Sequence, residues 1–207
     1  MPCSPCGGRC LAEAGGRGWA LLAAGLAVGA ALGWPVPRVA IDWQPVLAMH
    51  EPWRWWSAAF VHYSPLHLGA NLAGAALVGV LGHVARVPSR VVLAWLMAWP
   101  LTHLGLLLQP QLLHYGGLSG VLHAGVAATA LHLLLAGRPA QRRIALAIVA
   151  VLVVKVVSEA PWDPALRRPA GWDIAVAPLA HATGALAGAI CAVACEAWRR
   201  WRPTMAG

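Results

Sequence analysis

Gly116-Gly117-Leu118-Ser119-Gly120-Val121-Leu122-His123 opens an apolar run that continues to Ala136. The run is long enough to be a membrane helix, and its serine falls where a loop turns into that helix. Gly117 and Gly120 let the backbone turn tightly and let a carbonyl group approach Ser119 without meeting side chains. A serine in that position is either a simple N-cap or a nucleophile in need of a base. Four residues are too few to decide between these readings. The partners elsewhere in the chain must.

The chain of 207 residues is enough for one domain. Hydrophobic residues make up 59% of it and charged residues 11%, and the mean hydropathy is +0.65, so water would face far too much apolar surface. The composition therefore predicts an all-α polytopic membrane protein. The net charge of +8 comes from arginines scattered in the short gaps between apolar runs. Nucleic-acid binding needs them clustered on one soluble face, and that partner is excluded.

A helix needs about 20 apolar residues to cross a bilayer, fewer where flanking residues snorkel. Six spans are expected, at 19–34, 61–82, 91–109, 118–136, 142–158 and 175–197. They form one domain over 19–198, between an N-terminal tail at 1–18 and a C-terminal tail at 199–207. Arg9 and Arg17 ahead of the first short apolar segment resemble a signal peptide, but no clean cleavage site leads into a soluble chain, so the segment is read as a span.

Orientation follows from the arginines. With the N-terminus inside, Arg9, Arg17, Arg86, Arg90, Arg138, Arg142, Arg143, Arg199, Arg200 and Arg202 are cytoplasmic, and only Arg38, Arg54, Arg167 and Arg168 lie opposite. Both termini are then cytoplasmic, and Ser119 begins the fourth span at its outer end. The loop 34–59 contains Trp43, Trp53, Trp55 and Trp56, which suit a membrane interface, and Arg54, which suits a headgroup or a carboxylate of the same loop. Cys3, Cys6 and Cys10 lack a nearby histidine or a second pair and read as a flexible reduced tail, not a metal site. Lys155 can snorkel outward and pair with Glu159 one helical turn on.

A serine hydroxyl needs a base to take its proton, and histidine is the usual one near neutral pH. His181 is expected at the depth of Ser119, near the outer end of the sixth span. His181, Gly184 and Gly188 share one helix face, and small residues at this spacing let helices approach closely in lipid. His67 and Asn71, four residues apart in the second span, supply donors for the negative charge that acyl transfer develops on a carbonyl oxygen. The Ser119 backbone N–H is a third.

These residues carry a resemblance. Trp53-Arg54 and the run Phe60-Val61-His62-Tyr63-Ser64-Pro65-Leu66-His67-Leu68-Gly69-Ala70-Asn71 resemble the second-span signature of rhomboid intramembrane serine proteases. Gly117-Leu118-Ser119-Gly120 is similar to that family's nucleophile motif, and Ala180-His181-Ala182-Thr183-Gly184 through Gly188 to its sixth-span motif. The matches occur in the family's order and the resemblance extends over about residues 19–198. It implies a six-span rhomboid-like bundle with Ser119 as nucleophile and His181 as general base, a dyad without a third carboxylate. His67, Asn71 and the Ser119 N–H would line the oxyanion hole, and His62 would support them. The chemistry implied needs no metal or cofactor.

Ser119-Gly120-Val121-Leu122-His123, with Lys155, Glu159 and the compact chain, resembles the rhombosortase subgroup of bacterial rhomboids. That subgroup is associated with removal of C-terminal sorting tails: a Gly-Gly-type motif, an apolar helix and a short basic end. His123 lies one turn below Ser119, where it can pack, tune His181 or touch substrate. The resemblance implies a bacterial inner-membrane location with the site facing the periplasm, the lipid bilayer as surroundings, and tailed or single-span membrane proteins as substrates. Few lysines beside many arginines also fit a bacterium of GC-rich genome. The alternatives are a general rhomboid protease, an inactive rhomboid-like binder of transmembrane clients, and a small transporter using His123, His132 and Lys155. No inverted repeat supports the last.

Overall fold

The computed structural model describes residues 7–163 and 165–201, with side chains from Gly16 onward. These residues form eight α-helices: α1 Gly7–Gly33, α2 Arg38–Ile41, α3 Arg54–Ser57, α4 Pro65–Val84, α5 Ser89–Leu104, α6 Ser119–Ala136, α7 Pro139–Ser158 and α8 Pro178–Trp201. Proline fixes three of the starts. Pro65, Pro139 and Pro178 occupy the first turn of their helices, where a missing N–H costs nothing. Ser64 caps α4 by accepting the His67 N–H at 3.0 Å.

Five segments are long and apolar enough to cross a membrane: Gly16–Gly33, Pro65–Val84, Ser89–Leu108, Ser119–Ala136 and Pro178–Trp201. The chain is a multi-pass membrane protein. The expected fifth span, 142–158, is helix α7 of similar length, but it carries Arg142 and Arg143 near its start and Lys155 in its last turn. The expected first span, 19–34, corresponds to the apolar window Gly16–Gly33, and its helix extends back to Gly7. No proline stands between Pro5 and Pro35, so nothing interrupts the helix once begun. Cys3 and Cys6, the Cys10 side chain and residues 202–207 lie outside the described residues.

Helix α6 is the centre of the bundle. Of its span 61% is buried, against 28% for α1, and it packs against α4, α5, α7 and α8. Its buried positions are mostly small: Gly120, Ala124, Gly125, Ala127, Ala128 and Ala130. In lipid, apolar side chains gain nothing by leaving the solvent, so helices associate through close packing and hydrogen bonds. Trp19 of α1 and Trp95 of α5 stack at 4.3 Å and donate their indole N–H groups to the carbonyls of Val78 and Val121, at 2.8 and 2.7 Å. Helix α7 is peripheral, with Ala145 its one buried residue. Leu146, Val151 and Val154 point outward.

The end of the bundle away from Ser119 is tied by Glu196, which is 1% exposed and accepts from His132, Arg90 and Arg199 at 2.7 to 2.9 Å. At the Ser119 end, the loop 34–59 folds into a plug. Arg54 is buried and bonds Glu51 Oε2 at 2.6 Å, Asp42 Oδ1 at 3.1 Å and the Asp42 carbonyl at 2.7 Å. Of the two expected roles for Arg54, the carboxylate one holds. Trp43 corrects the interface reading: it is 0% exposed and exchanges backbone hydrogen bonds with Tyr115 at 2.8 and 3.0 Å. This pairing anchors the segment that leads into Gly116–Ser119.

Candidate active site

Three loops and four helices converge on Ser119. The turn before it depends on Gly117, whose φ of +147° is open to glycine and rarely to other residues. A Cβ there would stand 3.0 Å from His67 Nε2. The Gly117 N–H is held by the Ala58 carbonyl at 3.0 Å, and its own carbonyl accepts the Tyr115 hydroxyl at 3.2 Å. Ser119 is thereby fixed as the first residue of α6, where backbone N–H groups lack intrahelical partners and the helix dipole favours negative charge.

Helices α6 and α8 touch backbone to backbone below the serine. A Cβ on Gly184 would lie 2.0 Å from the Gly120 carbonyl oxygen, one on Gly188 2.1 Å from that of Ala124, and one on Gly120 2.7 Å from that of Ala180. Only hydrogen fits at these three points. The approach brings Ser119 Oγ to 2.8 Å from His181 Nε2 across 62 residues of sequence. The His123 ring lies on the His181 ring at 4.3 Å with 10° between planes, and its Nδ1–H donates to the Ser119 carbonyl at 2.7 Å.

A carboxylate stands on the other side of His181, where none was expected. His181 Nδ1 lies 2.7 Å from Glu159 Oε2, and Glu159 Oε1 receives the Lys155 ammonium. Because a carboxylate only accepts, the proton of His181 sits on Nδ1, which leaves Nε2 free to accept from the serine hydroxyl. Glu159 lies just past α7, and the chain then reverses at Ala160 with φ +46°. Burial pushes the Glu159 carboxyl up, but the hydrogen bond and charge of His181, with those of Lys155, outweigh it and hold the group down at about 2.

His67 and Asn71 line the same cavity as Ser119 and His181. The Tyr63 N–H points at His67 Nδ1 at 3.4 Å, so His67 carries its proton on Nε2, beside Gly117. Asn71 is 4% exposed, and its Nδ2 has no hydrogen-bond partner among the described residues. A buried amide donor without a partner loses its solvation for nothing unless something else accepts from it. His62 is buried behind them, 4.8 Å from the His67 ring, with Nδ1 donating to the Phe60 carbonyl at 3.2 Å. The cavity is about 660 Å³ and runs from Ser119 between α4 and α7 down to Val126 and Leu152.

The structure thus gathers Ser119, His181, His67, Asn71, His123, Gly117 and Gly120 at one end of the bundle, with Gly184 and Gly188 forming the seam beneath and His62 the support. His132 is elsewhere, at the far end with Glu196. Glu159 is the site residue that sequence reasoning missed. Its sequence signal was real: one acid closing an apolar helix at the depth of His181. The pairing with Lys155 at i+4 accounted for that acid too readily. A family model described as Rhomboid domain matches residues 49–197. No curated protein matches the chain.

Proposed function

The chain belongs to the rhomboid family, a family of intramembrane proteases, and from that premise we propose that it is a serine endopeptidase acting through Ser119 and His181. The observation that carries this reading is the 2.8 Å contact of Ser119 Oγ with His181 Nε2, at the head of a cavity into which an unpartnered Asn71 amide also faces.

In the proposed reaction Ser119 Oγ bonds to the scissile carbonyl carbon while His181 Nε2 takes the hydroxyl proton. The carbonyl oxygen becomes an oxyanion, received by Asn71 Nδ2, His67 Nε2–H and the Ser119 N–H. Each such donor commonly contributes about 3 to 4 kcal/mol to the transition state. When the carbon–nitrogen bond breaks, His181 passes its proton to the leaving nitrogen, and water then repeats the sequence on the acyl-enzyme. The peptide bond must first leave its helix, because a helix locks its carbonyls in its own hydrogen bonds.

The proposed substrates are exported proteins bearing a Gly-Gly-type C-terminal tail. Glycine pairs weaken a helix by about 1 kcal/mol per residue, which makes such a tail easy to unwind. The Ser-Gly-Val-Leu-His run and the Lys155 and Glu159 pair support this rhombosortase reading over a general rhomboid protease. The orientation proposed, with Ser119 toward the periplasm of a bacterial inner membrane and both termini cytoplasmic, rests on the arginine bias.

The test is intact-mass analysis of a Gly-Gly-tailed reporter coexpressed with wild type, Ser119→Ala or His181→Ala. Processing by wild type alone is the expected result. Wild type that spares this tail but cuts a generic single-span substrate refutes the tail specificity only. A well-folded wild type that cuts neither refutes the protease reading and favours a client-binding role.

A further inference from the structure

His181 is held from both sides, and one of its holders lies outside the Ser–His pair. The Nδ1 side is closed by Glu159 Oε2 at 2.7 Å, and the imidazole is 7% exposed. The Glu159 carboxylate has both oxygens engaged, one by His181 and the other by Lys155. Lys155 is half exposed in the cavity wall and already suffices as a surface partner. A salt bridge one helical turn long would need nothing from His181. Instead the carboxylate is turned so that its second oxygen meets the imidazole.

The backbone at this point is bent to make that turn. Ala160, directly after Glu159, has φ +46°, a conformation that costs an alanine about 1 to 2 kcal/mol. Its N–H caps the Val157 carbonyl at 3.0 Å. Beyond it, Arg167 and Val176 exchange backbone hydrogen bonds at 2.8 and 2.7 Å, closing a hairpin that leads back to α8. Ser64, the cap of α4, donates to Asp173 of the same loop at 2.8 Å. Glu159 therefore stands between the end of α7 and a loop that the hairpin and the Ser64 contact tie down.

We propose that Glu159 is a positioning residue for His181: its carboxylate fixes the Nδ1–H tautomer and balances the imidazolium that forms when Ser119 gives up its proton. The proton moves only between Ser119 Oγ, His181 Nε2 and the leaving nitrogen. Glu159 stays ionised throughout and exchanges none. Lys155 holds the far oxygen and so sets the rotation of the carboxylate. This inference rests on the serine protease reading above and adds a third member to its machinery.

The other ionisable groups near His181 do not substitute for Glu159. His123 from α6 lies flat on the ring and His67 from α4 faces it across the cavity, so both disfavour a second positive charge. Tyr115 lines the small cavity on the loop side. Arg167 and Arg168 share the outer mouth with Glu159. Among the described residues, Glu159 is the carboxylate hydrogen-bonded to His181.

The experiment uses the full chain in lipid nanodiscs and reads the rate at which a fluorophosphonate probe labels Ser119, across pH. Each variant's thermal unfolding midpoint is measured alongside. Glu159→Gln keeps an acceptor oxygen and removes the charge. It is expected to slow labelling about 10- to 100-fold, as replacing a charge-assisted hydrogen bond by a neutral one does. The acid limb of the rate profile is expected to move to lower pH, because the imidazolium loses its counter-charge. Glu159→Asp recovers part of the loss seen with Glu159→Ala, and Lys155→Met, which keeps the Glu159 charge, slows labelling less than Glu159→Gln and does not move the limb to lower pH. Glu159→Gln labelled at the wild-type rate with the same limb overturns the proposal while the protease reading stands. So does a loss of rate that only follows the unfolded fraction. Wild type that the probe does not label overturns both.

Discussion

Replacing Gly184 with alanine tests whether backbone contact between α6 and α8 sets the geometry of the Ser119–His181 pair. The new Cβ would lie 2.0 Å from the Gly120 carbonyl oxygen and 2.8 Å from its carbon. Ordinary contact begins near 3.4 Å, so the helices must part by about 1.4 Å at this point, a strain typical of overpacked cores at about 1 to 3 kcal/mol. Gly184 is one turn below His181, and Gly120 follows Ser119 directly. Most of the displacement is therefore passed to the pair, and its 2.8 Å contact stretches beyond hydrogen-bonding range. A misplacement of about 1 Å in a reacting pair costs on the order of 100-fold in rate. The assay is fluorophosphonate labelling of Gly184→Ala in nanodiscs, with cleavage of whichever reporter wild type cuts and the unfolding midpoint measured in parallel. Gly69→Ala is the control, because Gly69 sits on α4 with nothing within 4 Å of its would-be Cβ. The expected outcome is a folded Gly184→Ala protein, modestly less stable, labelled about 100 times more slowly, beside an unaffected Gly69→Ala. Wild-type labelling by Gly184→Ala refutes the claim that helix contact governs the pair.

Asn71→Ala is expected to lower kcat by about 100- to 1,000-fold with little change in KM, as loss of an oxyanion donor does; steady-state cleavage of the reporter reads both constants, and an unchanged kcat removes Asn71 from the site. Ala160→Gly relieves the φ of +46° and is expected to raise stability by about 1 kcal/mol without altering the labelling rate. A lower unfolding midpoint would show that the turn after Glu159 is not strained.

Much of this protein is legible without coordinates, because its signals are local. Span positions follow from apolar length: the expected 61–82, 118–136 and 175–197 overlie Pro65–Val84, Ser119–Ala136 and Pro178–Trp201, with Pro65 and Pro178 fixing where two of them start. Ser119, His67, Asn71 and His181 stand at helix positions whose depth can be counted from those ends. Gly120, Gly184 and Gly188 mark a close helix seam by spacing alone, and the structure puts each of them against a backbone carbonyl of the facing helix. The first span is legible in the same way, its expected 19–34 matching Gly16–Gly33, and α1 runs back to Gly7 because no proline between Pro5 and Pro35 interrupts it.

What the tertiary structure decided are the contacts that depend on where loops return. Trp43 reads as an interface tryptophan, since its ring is amphipathic, and is buried because Tyr115, 72 residues on, pairs with its backbone. Glu159 reads as the partner of Lys155, since four residues on a helix guarantee proximity, yet that neighbour uses only one carboxylate oxygen. The other oxygen is assigned by an 18-residue excursion, 160–177, that turns at Ala160, folds back at Arg167 and Val176, and delivers His181 to it. Helical periodicity reports the near neighbour at every turn. It is silent on a partner whose distance is set by a loop, and that is why the Ser119–His181 pair was visible in the sequence while the carboxylate behind it was not.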